Sequence, residues 1–131
     1  MDWSAIGKRI RQQREYMGLT REQYVTLLPK SVTTAISMDV AAELGGIAAL
    51  TGAIVILTGI AGNLLAETVC KVFHITDPIA KGVGIGTSAH AVGTSKALQM
   101  GEVEGAMSGL SIAVAGVLTA VLCPVFVNFI N

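Results

Sequence analysis

The sequence predicts an all-α polytopic membrane protein with two long transmembrane helices and two broken or re-entrant helical segments. Three observations carry that expectation. Hydrophobic residues make up 52% of the 131 residues and charged residues only 14%, with a mean hydropathy of +0.64. Soluble domains carry roughly 25% charged residues, and a soluble protein this small can hardly cover so much apolar surface. Two uncharged runs, residues 44–65 and 105–130, each reach the roughly 20 residues that cross the hydrocarbon core. Between them, residues 77–96 are too polar and glycine-rich for an ordinary span and too few for a separate soluble domain. Unwound backbone of that kind is tolerated at membrane depth only where it is buried in protein or lines a wet cavity.

Residues 1–28 are expected to form a basic amphipathic, soluble helical segment. Ile6, Ile10 and Met17 alternate with Lys8, Arg9, Arg11 and Arg14, a pattern that suits a surface helix. Gly18 ends it, and Thr20-Arg-Glu-Gln23 reads as a capping box for a second short helix. The basic face can rest on anionic lipid at roughly 1 kcal/mol per nearby cation. No cleavable signal peptide is expected, because no apolar core followed by a small-residue cleavage site opens the chain. The order from Ile6 to Gln23 resembles the opening of Cro/C1-type helix-turn-helix repressors, which use a following helix to read the major groove. That resemblance stops at Leu28, where Pro29-Lys30-Ser31 begins, and nucleic acid is not an expected partner.

From Pro29 a short helix is expected to run to Glu43, with Ser31, Thr33 and Thr34 capping its start. A helix N-terminus carries about half a positive charge, and Lys30 would add a whole one, so this end suits an anionic group. The bland alternative is that the hydroxyls only cap the helix and Lys30 snorkels to the interface. Gly45-Gly46 should break the helix and lead into the first span. Gly52, Gly59 and Gly62 give that span small faces for close helix packing.

Asp77-Pro78 signals a turn and a helix start. Beyond it Gly82, Gly84 and Gly86 are expected to loosen the backbone. His90 stands among the hydroxyls of Thr87, Ser88, Thr94 and Ser95. A histidine inside a membrane is costly and is read by default as an interior hydrogen-bonding or proton-relay residue; the bland alternative is one that only ties a re-entrant loop together. Gly84-x-Gly86-x-x-Ala89 loosely matches a dinucleotide fingerprint, but the strand and βαβ unit that fingerprint requires are missing. Neither His/Cys metal-ligand spacing nor a nucleophile–base pair is visible, so no metal, cofactor or catalytic residue is expected. Cys70 and Cys123 are expected as buried thiols. The second span should be small-faced at Gly109, Ala113 and Gly116, with Glu102 and Glu104 at its start and a kink or end near Pro124.

A weak internal repeat runs through the chain. Shifting the sequence by 60 residues aligns Val32, Thr34, Gly45, Leu50 and Ala53 with Val92, Thr94, Gly105, Leu110 and Ala113. Paired broken segments at corresponding positions are the best pointer in a sequence to a transporter site at a repeat interface. The expected solute site is therefore Lys30, Ser31, Thr33 and Thr34 facing Thr87, Ser88, His90 and Thr94 near the bilayer midplane. The charge bias does not fix the orientation, since Lys71 and Lys81 follow the first span.

Six colinear motifs spread over most of the chain sharpen this reading. They are Leu28-Pro-Lys-Ser-Val-Thr-Thr34, Gly45-Gly46, Ile56-Leu-Thr-Gly59, Asp77-Pro-Ile-Ala-Lys-Gly82, Gly86-Thr-Ser-Ala-His-Ala-Val-Gly-Thr94 and Glu104-Gly-Ala-Met-Ser108. From about Leu27 onward they resemble the LrgB/CidB family of bacterial antiholin-like membrane proteins. The resemblance implies a multi-pass inner-membrane protein working with an LrgA-type holin-like partner in the control of murein hydrolase activity and autolysis. It also implies transport of small carboxylates, because plant relatives carry glycolate and glycerate and bacterial relatives are linked to pyruvate uptake. Family members usually place further membrane helices before the Pro-Lys-Ser-Val-Thr-Thr motif, and Ala35 stands where proline is expected. Residues 29–131 are accordingly expected to be a truncated LrgB-like membrane domain that a second copy or a partner would complete. Two other classes remain open: a membrane-tethered DNA-binding regulator, and a structural partner of a holin-like protein without transport activity.

Overall fold

A computed structural model describes residues 3–128, and among them the structure is entirely helical. In chain order the helices are α1 (Trp3–Tyr16), α2 (Arg21–Leu27), α3 (Thr34–Glu43), α4 (Ala48–Val72), α5 (Pro78–Met100) and α6 (Glu102–Asn128). Helices α4 and α6 are long and apolar enough to cross a membrane. Only 22% and 17% of their most apolar windows are buried. Large side chains such as Leu57, Leu64, Val117 and Val121 face outward. The core helix of a water-soluble protein would hide that surface, whereas a helix against lipid has no reason to.

The helix starts and stops follow local chemistry read from the sequence. Thr20 and Gln23 close the expected capping box, with Gln23 N–H donating to Thr20 Oγ1 at 3.2 Å and Thr20 N–H to Gln23 Oε1 at 2.9 Å. Asp77 caps α5 by accepting from Ala80 N–H at 2.7 Å, with Pro78 in the first turn. At Gly45 (φ +80°) the chain reverses; Gly46 N–H reaches back to Ala41 O and Gly45 N–H to Ala42 O. That six-to-one and five-to-two pair is the Schellman closure, which places its turning residue in the left-handed region that glycine tolerates. Met17 lies beyond α1 and is exposed, so the apolar stripe of α1 ends earlier than its sequence pattern suggests.

Helix α5 is not a span but a re-entrant hairpin. Its one interruption is His90, at φ 42° and ψ −142°. In a straight helix Ile85 and Ala97 would stand about 18 Å apart, yet the two pack together against Ala66 of α4. Residues 78–89 therefore enter the bundle and residues 91–100 return to the same end. The expectation that Gly82, Gly84 and Gly86 unwind the backbone is corrected here. All three are helical, and Gly82 and Gly86 serve close packing. A methyl group on Gly86 would overlap the Ser108 carbonyl, and one on Gly82 would lie 2.5 Å from Glu104 O.

The opening helices α2 and α3 are joined by a turn, and both pack on α4 rather than along each other. Arg21 Nη1 donates to Leu44 O at 3.3 Å, so the start of α2 lies beside the end of α3. The turn between them carries Pro29 to Val32. The helix expected from Pro29 begins at Thr34 instead, because Pro29 sits in the turn that closes α2, with its carbonyl taken by the buried Ser37 hydroxyl at 2.6 Å. Its N-cap, Thr33, makes no side-chain capping bond.

The opening pair and the α5 hairpin are each followed by a span, and the two spans run antiparallel. Glu104 at the start of α6 lies near Lys81, at the end where α4 finishes, and Val127 at its other end packs with Val25 and Leu44. Helix α6 uses Gly105, Ser108 and Gly116 for its close contacts rather than the expected Gly109 and Ala113. Gly109 has open space before it, whereas Gly116 receives Ile36 of α3.

Candidate functional site

The hairpin tip of α5 reaches the middle of α4. His90 is buried at 2% exposure, and its Nε2 lies 2.8 Å from Val55 O. A carbonyl only accepts, so Nε2 carries the proton in this contact. The ring fits because its neighbour on α4 is Gly59: a methyl there would stand 2.6 Å from His90 Cε1. Backbone of this sign at a non-glycine residue costs roughly 1–3 kcal/mol and persists where the surroundings over-determine it.

Polar groups from three helices surround the break. Thr94 Oγ1 lies 3.1 Å from His90 O and 2.7 Å from the buried Ser108 Oγ of α6. Asn63 of α4 donates to Val92 O at 2.7 Å and to Ser95 Oγ at 2.9 Å. Asn63 is not among the expected residues, and Ser108 stands in the sequence only as the end of the Glu104–Ser108 motif. The polar Asn63 inside an otherwise apolar run was the available signal.

The expected site residues divide into those the fold gathers and those it leaves outside. His90 and Thr94 form the tip. Thr34 lies against Gly52 of α4, one turn or less from Val55, so the start of α3 approaches the same stretch of α4 as His90. Lys30 is exposed, and its Nζ donates to Ser31 Oγ at 3.2 Å. Thr87 and Ser88 are exposed, their hydroxyls bonded back to Val83 O at 2.7 Å and Gly84 O at 2.6 Å. Among the described residues no hydrogen bond joins Lys30, Ser31, Thr33 or Thr34 to the second group.

A charged cavity lies at the other end of the α5 hairpin. It has a volume of about 530 Å³ and is lined by Glu67, Lys71, Lys81, Lys96, Glu104 and His74, among others. Glu67 is paired with Lys96 at 2.8 Å and Lys71 at 2.9 Å. Lys81 and Glu104 stand 4.0 Å apart, both largely shielded from solvent. Of these, Lys71, Lys81 and Glu104 are read singly in the sequence, as groups flanking spans. Folding the α5 hairpin brings them together.

Helix α2 is tied into the membrane unit. The buried Thr26 accepts from Ile47 N–H at 2.9 Å through its hydroxyl, and its carbonyl accepts from Thr51 Oγ1 at 2.9 Å. The helix after it, α3, has no lysine or arginine and buries Ser37, Val40 and Ala41, which is not the surface of a helix that reads DNA. Cys70 is buried, and Cys123 is half-buried.

Comparison with known proteins gives one consistent result. The LrgB-like family model matches residues 12–129. Curated relatives include proteins called antiholin-like protein LrgB from Bacillus mycoides (strain KBAB4), Bacillus cereus (strain B4264) and Bacillus anthracis (strain CDC 684 / NRRL 3495). Each is 39% identical over 115 residues, covering 88% of this chain and 50% of the relative. The chain thus spans about half the length of the curated relatives it matches. No solved structure matches it significantly. With a family match that takes in all but the first 11 and last two residues, and six colinear motifs inside it, the chain belongs to the LrgB-like family.

Proposed function

We propose that the chain is a multi-pass protein of the bacterial inner membrane that moves small carboxylates of the glycolate, glycerate and pyruvate class. In this reading it takes part, with an LrgA-type holin-like partner, in controlling murein hydrolase activity and autolysis. The observation that carries the reading is the pairing of two units in opposite orientation, each a turn between helical segments followed by a span. The 60-residue shift superposes Lys30 at the first turn on His90 at the second. Broken helical segments at corresponding positions of two inverted units are the layout of carriers built from inverted repeats. The solute would lie between Lys30, Ser31, Thr33 and Thr34 on one side and Thr87, Ser88, His90 and Thr94 on the other. A second copy, or a partner, would supply the remaining wall.

Lys30 would meet the carboxylate and the hydroxyls would replace its hydration, while His90 fixes the tip that presents Thr94. Vesicles containing the chain should take up labelled glycolate. Lys30→Ala and His90→Ala should each cut the initial rate by about tenfold or more, the loss of one charge-assisted or buried hydrogen bond. Uptake equal to the parent in both variants would refute the site. The name antiholin-like on the relatives supports the autolysis half of the reading. That half is tested by comparing murein hydrolase activity in cells with and without the gene.

A further inference from the structure

We propose that the cavity at the open end of the α5 hairpin is a binding site for one compact oxyanion, with Lys81 as its principal contact. Three lysines and two glutamates line it, together with His74, Thr76 and Gln99, so the wall carries an excess of positive charge. The distribution matters more than the sum. Glu67 is held by two lysines at 2.8 and 2.9 Å, which leaves it little capacity for a third. Among the described residues Lys81 is paired only with Glu104, at 4.0 Å, beyond direct hydrogen-bond reach. The other carboxylate oxygen of Glu104 lies over Gly101, where a methyl group would overlap Oε2. A largely shielded ammonium with so loose a partner is poised to take an anionic oxygen.

Size and position agree. The cavity's 530 Å³ falls in the range of small-molecule sites, roughly 300–1,000 Å³. It adjoins a second, more apolar cavity of about 200 Å³ that shares Cys70, Ile75 and Lys81 with it and extends to Gly62 and Ser88. Gly62 and Ser88 are immediate neighbours of Ala89 at the tip, so the cavity stands where a solute would wait before reaching His90. The oxyanion chemistry follows from the positive lining itself. The identification of its source as the carried solute rests on the carrier reading above. A lipid headgroup phosphate offers the same chemistry at this level of a membrane.

The test uses the full chain in neutral detergent, with glycolate as one probe and phosphatidylglycerol in mixed micelles as the other, each titrated calorimetrically. Binding of glycolate that Lys81→Gln weakens by about tenfold or more, that Lys81→Arg retains, and that the remote Lys8→Gln leaves alone would establish the site and its solute source. Binding of phosphatidylglycerol alone, with the same dependence on Lys81, would establish the oxyanion site and assign it to lipid. No binding of either probe to folded chain, or binding indifferent to Lys81→Gln, would overturn the proposal. A chain that binds glycolate through Lys81 but transports none would keep this site and lose the carrier reading. Transport that survives Lys81→Gln unchanged, with binding equally unchanged, would do the reverse.

Discussion

In the unit formed by α2, α3 and α4, the short helices are fastened to the span by polar staples. Thr26 exchanges hydrogen bonds with Ile47 and Thr51, while Arg21 ties the start of α2 to the end of α3 through Leu44 O. In the unit formed by α5 and α6, one hydroxyl pair, Thr94 and Ser108 at 2.7 Å, joins the two helices, and the rest of the junction relies on missing side chains. Gly82 and Gly86 let α5 lie directly on the backbone of Glu104 and Ser108. The 60-residue shift superposes Thr26 on Gly86, so one architectural position is a hydrogen-bonding hydroxyl in one unit and a bare Cα in the other. Both solutions suit a membrane. Polar groups there must find internal partners, and helices without a hydrophobic force between them gain from close van der Waals approach. The difference teaches that two units of the same element order can be held together by different chemistry.

The largest expected effect breaks the glycine-made junction. Gly86→Val puts a branched side chain where even a methyl group overlaps Ser108 O. Overpacking costs typically 1–3 kcal/mol, more where backbone must move. We expect at least about 3 kcal/mol lost, or failure to fold, and Gly86→Ala to be the milder of the pair. Thermal unfolding in detergent measures both. A Gly86→Val protein as stable as the parent would mean that α5 and α6 are not in backbone contact.

The hydroxyl-made junction should be weaker. Thr26→Val keeps shape but strips Ile47 N–H of its acceptor at 2.9 Å and removes the bond to Glu22 O at 2.7 Å. Ile47 is partly open to solvent, so its orphaned N–H should cost at most the lower part of the roughly 1–3 kcal/mol of a buried donor, less than the loss at Gly86. Hydrogen exchange at Ile47 gives a second readout, with the amide becoming faster in Thr26→Val. Equal or larger damage at Thr26 would invert the comparison.

Much of this was legible in the sequence because it is local. The Thr20–Gln23 box, the Asp77-Pro78 start and the Gly45 stop each depend on residues within a turn of one another, and all three appear where the pattern placed them. The two spans were equally plain from length and composition. The hairpin in α5 was harder. Glycines invite the reading of loosened backbone, and Gly82 and Gly86 are there instead because a neighbouring helix needs their missing side chains. The break falls on a histidine, a residue with no intrinsic preference for that backbone, and the Val55 carbonyl and the Gly59 gap that hold it are about thirty residues away in sequence. The charged cavity was invisible for the same reason. Glu67, Lys81, Lys96 and Glu104 are neighbours only after the hairpin closes.

The smallest expected effect separates strain from use at His74. Helices α3 and α4 both end in the Schellman closure: Gly45 turns the first, and His74 (φ 53°) turns the second, with Ile75 N–H on Cys70 O at 2.9 Å and His74 N–H on Lys71 O at 3.2 Å. A left-handed residue with a Cβ costs about 1–2 kcal/mol, which glycine avoids, partly offset by glycine's greater freedom in the unfolded chain. His74→Gly should therefore raise stability by about 0.5–1 kcal/mol net. Yet His74 lines the charged cavity, and strain retained beside the proposed oxyanion site points to a side chain that is needed there. We expect His74→Gly to melt higher and to bind glycolate more weakly than the parent, with calorimetry and unfolding measured on the same sample. Higher stability with unaltered affinity would make His74 a plain helix stop, and the cavity's recognition would then fall to the lysines alone.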